Sequence, residues 1–278
     1  MKKAGPLSIP FFVLALIFIV APLLLIVFYS FTKQETGGFQ LTIENFKRFF
    51  DFSNPVYMEN VVRSVWLALI STVFCLVLGY PVAYILAGLS ENARRIVSFL
   101  FILPMWMNML LRTYAWVTIL GNAGIINTIF KSIGLPTVQL MYNEQAIVLG
   151  NVYNFLPFMI LPIFNTILKL DKSVLEASRD LGANGIKTFA RVIFPLTLPA
   201  VVSGITMTFL PAVTTFIVSR LLGGGISLIG DVIESQFLTF SNWGFGSALS
   251  VVIMTFILLC MGVLSKYEKE QTEGGQLL

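Results

Sequence analysis

The fold is decided by residues 170–199, which read LDKSVLEASRDLGANGIKTFARVIFPLTLP. With Lys169 this segment carries five Lys or Arg residues, and it lies between two long apolar runs that hold almost no charge. Charged side chains are costly inside a bilayer. The segment is therefore predicted to be a water-facing loop between two membrane spans.

Two short helices joined by a corner are predicted in this loop. Ser173 and Glu176 form a capping-box pattern, so the first helix is predicted to begin at Ser173. Gly182 supplies the positive-φ residue that commonly ends a helix. The first helix has a small, nearly smooth face suited to a groove on another protein, formed by Val174, Ala177, Ser178 and Leu181.

The second helix is predicted to follow the corner at residues 183–185 and to end near Phe194. Pro195 and Pro199 come next, and a proline removes a backbone donor and clashes with the preceding turn. A break before the next span is therefore expected.

The same loop resembles the coupling loop of permease subunits in ABC importers. The matching residues are Glu176, Ala177, Gly182 and the run Val192-Ile193-Phe194-Pro195. The departures are conservative in size or polarity: Ser178 for Ala, Val192 for Ile and Phe194 for Leu. The resemblance implies docking onto a cytoplasmic ATPase through a coupling helix that includes Ser173, Leu175, Glu176, Ala177, Asp180, Gly182 and Ala183. The alternative is an ordinary amphipathic loop.

Composition places the whole chain in a membrane. It has 278 residues, of which 56% are hydrophobic and 12% charged, and its mean hydropathy is +0.86. Such a chain is typical of a polytopic membrane protein. The net charge of +4 comes from loops that flank apolar runs, so it indicates topology rather than nucleic-acid binding.

The sequence offers few residues that could catalyse a reaction or bind a metal ion. The chain has no histidine, and Cys75 and Cys260 lie in apolar runs, so neither a metal site nor a disulfide framework is predicted. Residues 182–188, GANGIKT, lack the Gly-Lys pair and the preceding strand of a phosphate-binding loop. We therefore expect no enzyme activity and no cofactor in this chain, with ATP-Mg bound by a separate subunit.

Six apolar runs predict six membrane spans, at about residues 7–31, 62–89, 96–120, 145–168, 200–219 and 247–265. The first run is longer than the ~7 to 15 residues of a signal-peptide core and lacks a cleavage site, so it is expected to be retained. A kink is expected at Pro81, an external amphipathic helix near residues 43–50, a surface helix within 121–144, and a poorly ordered polar tail at 266–278. One permease domain covers residues 1–278.

The distribution of Lys and Arg predicts the orientation. The termini with the second and fourth loops hold eleven, against six in the other three loops when Arg63, at the edge of the second span, is counted with them. By the positive-inside rule both termini and the loop with Glu176 are cytoplasmic.

Several residues are candidates for the substrate pathway. Arg112 is costly within a span and is predicted to face a partner or a water-filled cavity, with a purely structural role as the alternative. Asp231 and Glu234 lie one helical turn apart after a glycine run and could present two carboxylates to a polycation; otherwise they form a solvated external turn. The other candidates are polar or aromatic, the aromatic ones being either cation-binding walls or interfacial anchors: Trp106, Asn108, Tyr114, Trp116, Tyr153 and Trp243.

Further blocks resemble the spermidine/putrescine permeases of ABC importers. They are residues 77–87, 103–116, 153–183 and 221–238, and the resemblance covers nearly the whole chain. It implies an all-α, six-span permease of the type I (MetI-like) fold in a bacterial inner membrane. It also implies a second homologous permease, two ATP-binding subunits and an extracytoplasmic polyamine-binding protein as partners, besides membrane lipid.

Three alternatives stay open. The first is a permease of the same architecture for ferric iron, thiamine, sulfate or molybdate. An oxyanion would give Arg112 a purpose and leave Asp231 and Glu234 without one. A secondary transporter would need carboxylates within its spans, and all fourteen acidic residues are expected in loops. A structural or assembly subunit would not need the helix at residues 176–182.

Overall fold

The structure is a computed structural model that describes residues 9–35, 38–51, 53 and 55–274. Two strands pair as an antiparallel hairpin, β1 (Thr32–Glu35) and β2 (Gly38–Leu41). The helices are α1 (Ile9–Ala15), α2 (Ala21–Ser30), α3 (Glu44–Phe49), α4 (Val56–Gly88), α5 (Glu91–Ile102), α6 (Met109–Leu120), α7 (Ile125–Ser132), α8 (Glu144–Leu168), α9 (Lys172–Asp180), α10 (Gly185–Thr188), α11 (Phe194–Thr214), α12 (Ile217–Leu222), α13 (Ile229–Leu238) and α14 (Trp243–Gly274).

Within the described residues, six helical segments are long and apolar enough to cross a membrane. They are Phe12–Ser30, Val56–Gly88, Met109–Ser132, Glu144–Leu168, Gly185–Thr214 and Trp243–Tyr267. The six-span helical prediction is confirmed. Helices α3 and α7 occupy the positions of two predicted short helices, although α7 falls within the third candidate span rather than outside it. The hairpin was not predicted.

The third span differs from the prediction of one helix over residues 96–120. Helix α5 ends at Ile102, a 3-10 turn occupies Leu103–Trp106, and Met107 is extended before α6 begins. Pro104 cannot donate a backbone hydrogen bond, and Asn108 caps the new helix by accepting a hydrogen bond from the Leu110 amide at 2.8 Å. The break therefore has a local cause in the sequence.

The predicted break at Pro195 is wrong. Helices α10 and α11 are joined by a π-helical turn, Phe189–Ile193, into one candidate span. The wider π turn relieves the clash that a proline ring makes with the carbonyl four residues earlier. Pro195 then sits at the start of α11, where a missing donor costs little.

The fifth span ends earlier, and the sixth extends further, than predicted. Helix α11 ends at Thr214, and the next residue, Thr215, has extended backbone. Gly230 packs closely against this end: a Cβ at Gly230 would lie only 2.5 Å from the Thr214 carbonyl oxygen. Helix α14 continues through Gly274, so the predicted tail is helical up to that point; residues 275–278 lie outside the described part. Helix α4 runs unbroken through Pro81.

By their internal contacts the residues form two compact units, described separately below. The larger unit comprises residues 61–231 and the described residues from 259 to 274. Its core packs α4, α8 and α11 together, and a Cβ at Gly204 would meet the Met159 sulfur at 2.7 Å. The Tyr80 hydroxyl shares a 2.6 Å hydrogen bond with Thr197. Helix α11, which continues from the loop of residues 170–199, is therefore part of this core.

The smaller unit comprises the described residues between 9 and 60, together with residues 232–258. Its hairpin is held by Asn45, whose amide donates to the carbonyls of Ser30 and Thr32 at 3.1 Å each. The Arg48 guanidinium lies 4.3 Å from the centre of the Phe245 ring. A cation over an aromatic face stabilises such packing.

Candidate functional site

The loop between the fourth and fifth spans folds as a short helix with a defined start. Asp171, not Ser173, is the N-cap of α9, and its carboxylate accepts a hydrogen bond from the Ser173 amide at 2.9 Å. The predicted capping box is therefore wrong by two residues. Aspartate is among the best N-cap residues, and Asp171 lies two residues before Ser173. Bonding to Ser173 lowers the pKa of the exposed Asp171 carboxyl below its ordinary value.

The end of α9 is a Schellman motif centred on Gly182. The Gly182 amide donates to the Arg179 carbonyl at 2.8 Å, and the Ala183 amide donates to the Ser178 carbonyl at 3.1 Å. Gly182 has φ of +79°, a region that side chains with a Cβ rarely adopt. The prediction that Gly182 ends the helix with a positive φ is confirmed.

A second hydrogen bond fixes the corner between α9 and α10. The Ser178 hydroxyl is buried and lies 3.0 Å from the Thr188 hydroxyl. Asn184 caps α10 by accepting a hydrogen bond from the Lys187 amide at 2.9 Å. Ser178 therefore faces its own chain, which corrects the prediction that it belongs to the docking face.

The exposed side of this corner is apolar at its tip. Leu181 is 88% exposed and Ile186 is 79% exposed. The other predicted coupling residues surround them: Ser173, Glu176, Ala177, Asp180 and Gly182 are exposed, while Leu175 and Ala183 are half-buried. Two exposed aliphatic side chains on a loop, rimmed by charged residues, form a surface suited to a protein partner. We call Leu181 and Ile186 the apolar tip.

Helix α6 and the irregular segment before it carry five of the pathway candidates, including Arg112 and Trp116. Trp106 ends the 3-10 turn and is 82% exposed, and Asn108 caps α6. Tyr114 lies on α6 and is also exposed. The irregular residues 103–107 immediately precede the third candidate span, which begins at Met109.

Arg112 follows one turn into α6 and is 8% exposed. Its Nε atom has no hydrogen-bond partner among the described residues. The Tyr153 side chain on α8 lies within electrostatic range, and Tyr153 packs edge-on against Trp116 with ring centres 5.3 Å apart. The structure therefore brings Arg112, Trp116 and Tyr153 together.

Two buried amides on α8 were missed by the sequence analysis. Asn151 is fully buried and both its side-chain polar atoms lack a partner among the described residues, as does the Asn154 carbonyl oxygen. The Asn154 amide donates to the Gly150 carbonyl at 2.9 Å. Their spacing of three residues within an apolar run is the signal that could have revealed them, because polar side chains are rare in spans.

Asp231 is used inside its own unit. It is 9% exposed, and one carboxylate oxygen accepts hydrogen bonds from the Ser219 hydroxyl at 2.6 Å and the Leu228 amide at 2.9 Å. Arg220 lies 4.0 Å from the other oxygen. An acid at the third helical position that bonds back to the N-cap amide is half of a capping box. This corrects the expectation of an outward-facing carboxylate at Asp231.

The remaining candidates lie elsewhere. Glu234 is half-buried on α13, one turn after Asp231. Trp243 begins α14 and packs in the smaller unit against Phe237, with ring centres 5.4 Å apart. It lines a cavity of about 650 Å³ together with Tyr29 and Asn45. Within the larger unit Arg112 and Tyr153 thus lie near each other, while Asp231 is bonded to Ser219 and Leu228; Trp243 packs within the smaller unit.

Comparison with known proteins gives the family. No protein-family model matches the sequence. The spermidine/putrescine transport system permease protein PotB of Haemophilus influenzae is 40% identical over 258 residues, covering 91% of this chain and 89% of the relative. PotB of Escherichia coli K12 is 39% identical over 266 residues, covering 92% of this chain and 96% of the relative.

Solved structures agree on the fold. A chain of a bacterial ABC transporter involved in alginate import superposes with a TM-score of 0.79 at 16% identity, covering 95% of this chain and 94% of the other. A chain of the MetNI methionine ABC transporter gives 0.57 at 19% identity, covering 77% and 95%. The fold is that of an ABC importer permease, consistent with the MetI-like type. Because these relatives are about 40% identical over about 90% of its length, the chain belongs to the PotB family of spermidine/putrescine transport system permeases.

Proposed function

We propose that this chain is the permease subunit of an ATP-driven polyamine importer and forms half of the pathway with a second, homologous permease. The observation that carries the proposal is the exposed apolar tip on α9 and α10 in a chain whose relatives are named spermidine/putrescine permeases. An extracytoplasmic binding protein supplies spermidine or putrescine. Two ATP-binding subunits, which bind ATP-Mg, dock on the apolar tips of the two permeases.

The corner is built to transmit movement. Ser178 and Thr188 tie α9 to α10, and α10 continues through the π turn into the fifth span. Tyr80 and Thr197 then connect that span to α4. ATP-driven closure of the two ATPases pulls the tips together, and packed spans rock as rigid bodies between inward-facing and outward-facing states.

The pathway needs the second permease to supply negative charge. Among the described residues, acidic side chains in the candidate spans occur only in first turns, at Glu59 and Glu144. Arg112 and the N-terminus of α6 contribute positive charge instead. A polycation would be repelled by this half alone, whereas Trp106 can offer a ring face. The lack of mid-span carboxylates also disfavours a secondary transporter.

The substrate is tested by uptake in a strain that lacks this gene and carries it back on a plasmid. We expect labelled spermidine or putrescine uptake to depend on the gene and on ATP. Uptake of ferric iron, thiamine, sulfate and molybdate should be unchanged. Restoration of one of those solutes without polyamine uptake would overturn the substrate and keep the importer.

The orientation is tested by thiol labelling. In a Cys75→Ala, Cys260→Ala background, Arg95→Cys is expected to react with a membrane-impermeant reagent only after permeabilisation, because its loop and both termini are cytoplasmic. Ser132→Cys, at the end of α7, should react in intact cells. Both positions are exposed, so access depends on the side of the membrane. The reverse pattern would invert the topology.

A further inference from the structure

A cavity of about 480 Å³ lies beside α9 in the larger unit. Its walls come from the last turns of α4 and α8 and from α9, with aliphatic side chains such as Ile85, Leu168 and Leu175. Ile85 and Leu168 are exposed. The cavity therefore lies beside the ends of two candidate membrane spans, α4 and α8.

Two cations and no acidic residue line this cavity. The cations are Arg94 on α5 and Arg179 on α9. Among the residues that the structure describes, neither guanidinium has an ion-pair or hydrogen-bond partner. The adjacent Arg95 instead pairs with Glu91 at 3.5 Å and does not line the cavity.

We propose that this cavity binds the phosphate headgroup of an anionic phospholipid between Arg94 and Arg179. Arginine binds phosphate through its planar fork of donors. The exposed aliphatic wall at Ile85 and Leu168 accommodates the start of the acyl chains, which a free phosphate would leave uncovered. Basic pockets between spans on the cytoplasmic side suit such headgroups. The inference rests on the membrane placement proposed above and not on the substrate.

The site has a consequence for coupling because Arg179 belongs to α9. A bound headgroup holds α9 against the ends of α4 and α8. Lipid composition then affects how firmly the corner is set before an ATPase contacts it. Anionic lipid therefore stabilises the assembled importer.

The test uses the assembled importer, purified with its partner subunits and stripped of lipid. Its thermal unfolding midpoint is measured against added phosphatidylglycerol, with phosphatidylcholine as the zwitterionic lipid and glycerol phosphate as a headgroup without chains. We expect phosphatidylglycerol alone to raise the midpoint. The double variant Arg94→Gln, Arg179→Gln should need at least about tenfold more of it, since a hydrogen bond between charged groups, such as a guanidinium and a phosphate, contributes about tenfold or more to binding.

The matched control is Arg95→Gln, Arg191→Gln, which removes the same charge from exposed positions outside the cavity. It should leave the lipid dependence unchanged. An equal loss in both double variants would show diffuse attraction and overturn the site, and equal stabilisation by glycerol phosphate would show a free-phosphate site. If the glutamine variant does not assemble, Arg94→Lys, Arg179→Lys keeps the charge and should show an intermediate shift; an unchanged lipid dependence there would contradict the bidentate contact.

Discussion

Replacing Gly182 with valine is expected to abolish polyamine uptake while the protein still inserts into the membrane. At φ of +79° a residue with a Cβ pays about 1–2 kcal/mol, and a β-branched one pays more. The equilibrium constant between the correct corner and other conformations falls about tenfold for each 1.4 kcal/mol. The apolar tip that follows α9 then no longer faces the ATPase. Uptake of labelled spermidine and the ATPase activity of the purified complex measure the effect.

Gly185→Val is the matched control for this variant. A Cβ at either glycine would meet no atom within 4 Å, and of the two only Gly182 has positive φ. Gly185→Val is therefore expected to keep most of the uptake. Normal uptake by Gly182→Val at normal membrane levels would contradict the coupling role of the corner, and equal loss in both variants would point to the size of the side chain rather than to backbone strain.

Much of this corner could be predicted from the sequence, because its signals are local. Gly182 directly follows the residues predicted to form the helix. Glycine at this position commonly ends a helix with a positive φ, as it does here. The N-cap residue was harder to predict, because Asp171 and Ser173 are both good N-cap residues. The structure shows that the side chain of Asp171 accepts the capping hydrogen bond. Ser178 was misplaced because its partner, Thr188, comes after the turn.

The spans could be predicted from apolar length, but their interruptions could not. Proline at positions 81, 157 and 162 lies inside unbroken helices, whereas Pro104 accompanies a break. The difference depends on whether neighbouring groups satisfy the freed backbone, which is a tertiary property. At Pro195 the chain uses a π turn, and no rule based on residue type anticipates that choice.

The pathway residues were the least predictable part. A carboxylate after a glycine run can face solvent or turn inward, and the local sequence pattern does not distinguish these two orientations. Asp231 turns inward because the Ser219 hydroxyl and the Leu228 amide converge on it from the chain before α13. The neighbouring amide of Ile229 donates to the Ser64 hydroxyl on α4 at 2.8 Å, so the start of α13 is held at two points.

Replacing Asp231 with alanine is therefore expected to destabilise the protein by about 3 kcal/mol or more, since a hydrogen bond to a charged group contributes about 1.5–3 kcal/mol and two are lost. The buried Leu228 amide and Ser219 hydroxyl would lose this acceptor. The thermal unfolding midpoint in detergent and the amount of folded protein in membranes should both fall. Asp231→Asn, which keeps an oxygen acceptor but removes the charge, should lie between this variant and the parent.

Glu234→Ala is the control, because Glu234 is half-buried on the same helix one turn later. It should change stability by much less. If Glu234 attracts polycations, Glu234→Gln should slow spermidine uptake at low external concentration and at low salt, with a smaller effect at saturation. If Asp231→Ala were as stable as the parent and instead showed this concentration-dependent loss of uptake, the internal role would be wrong and Asp231 would return to the substrate pathway.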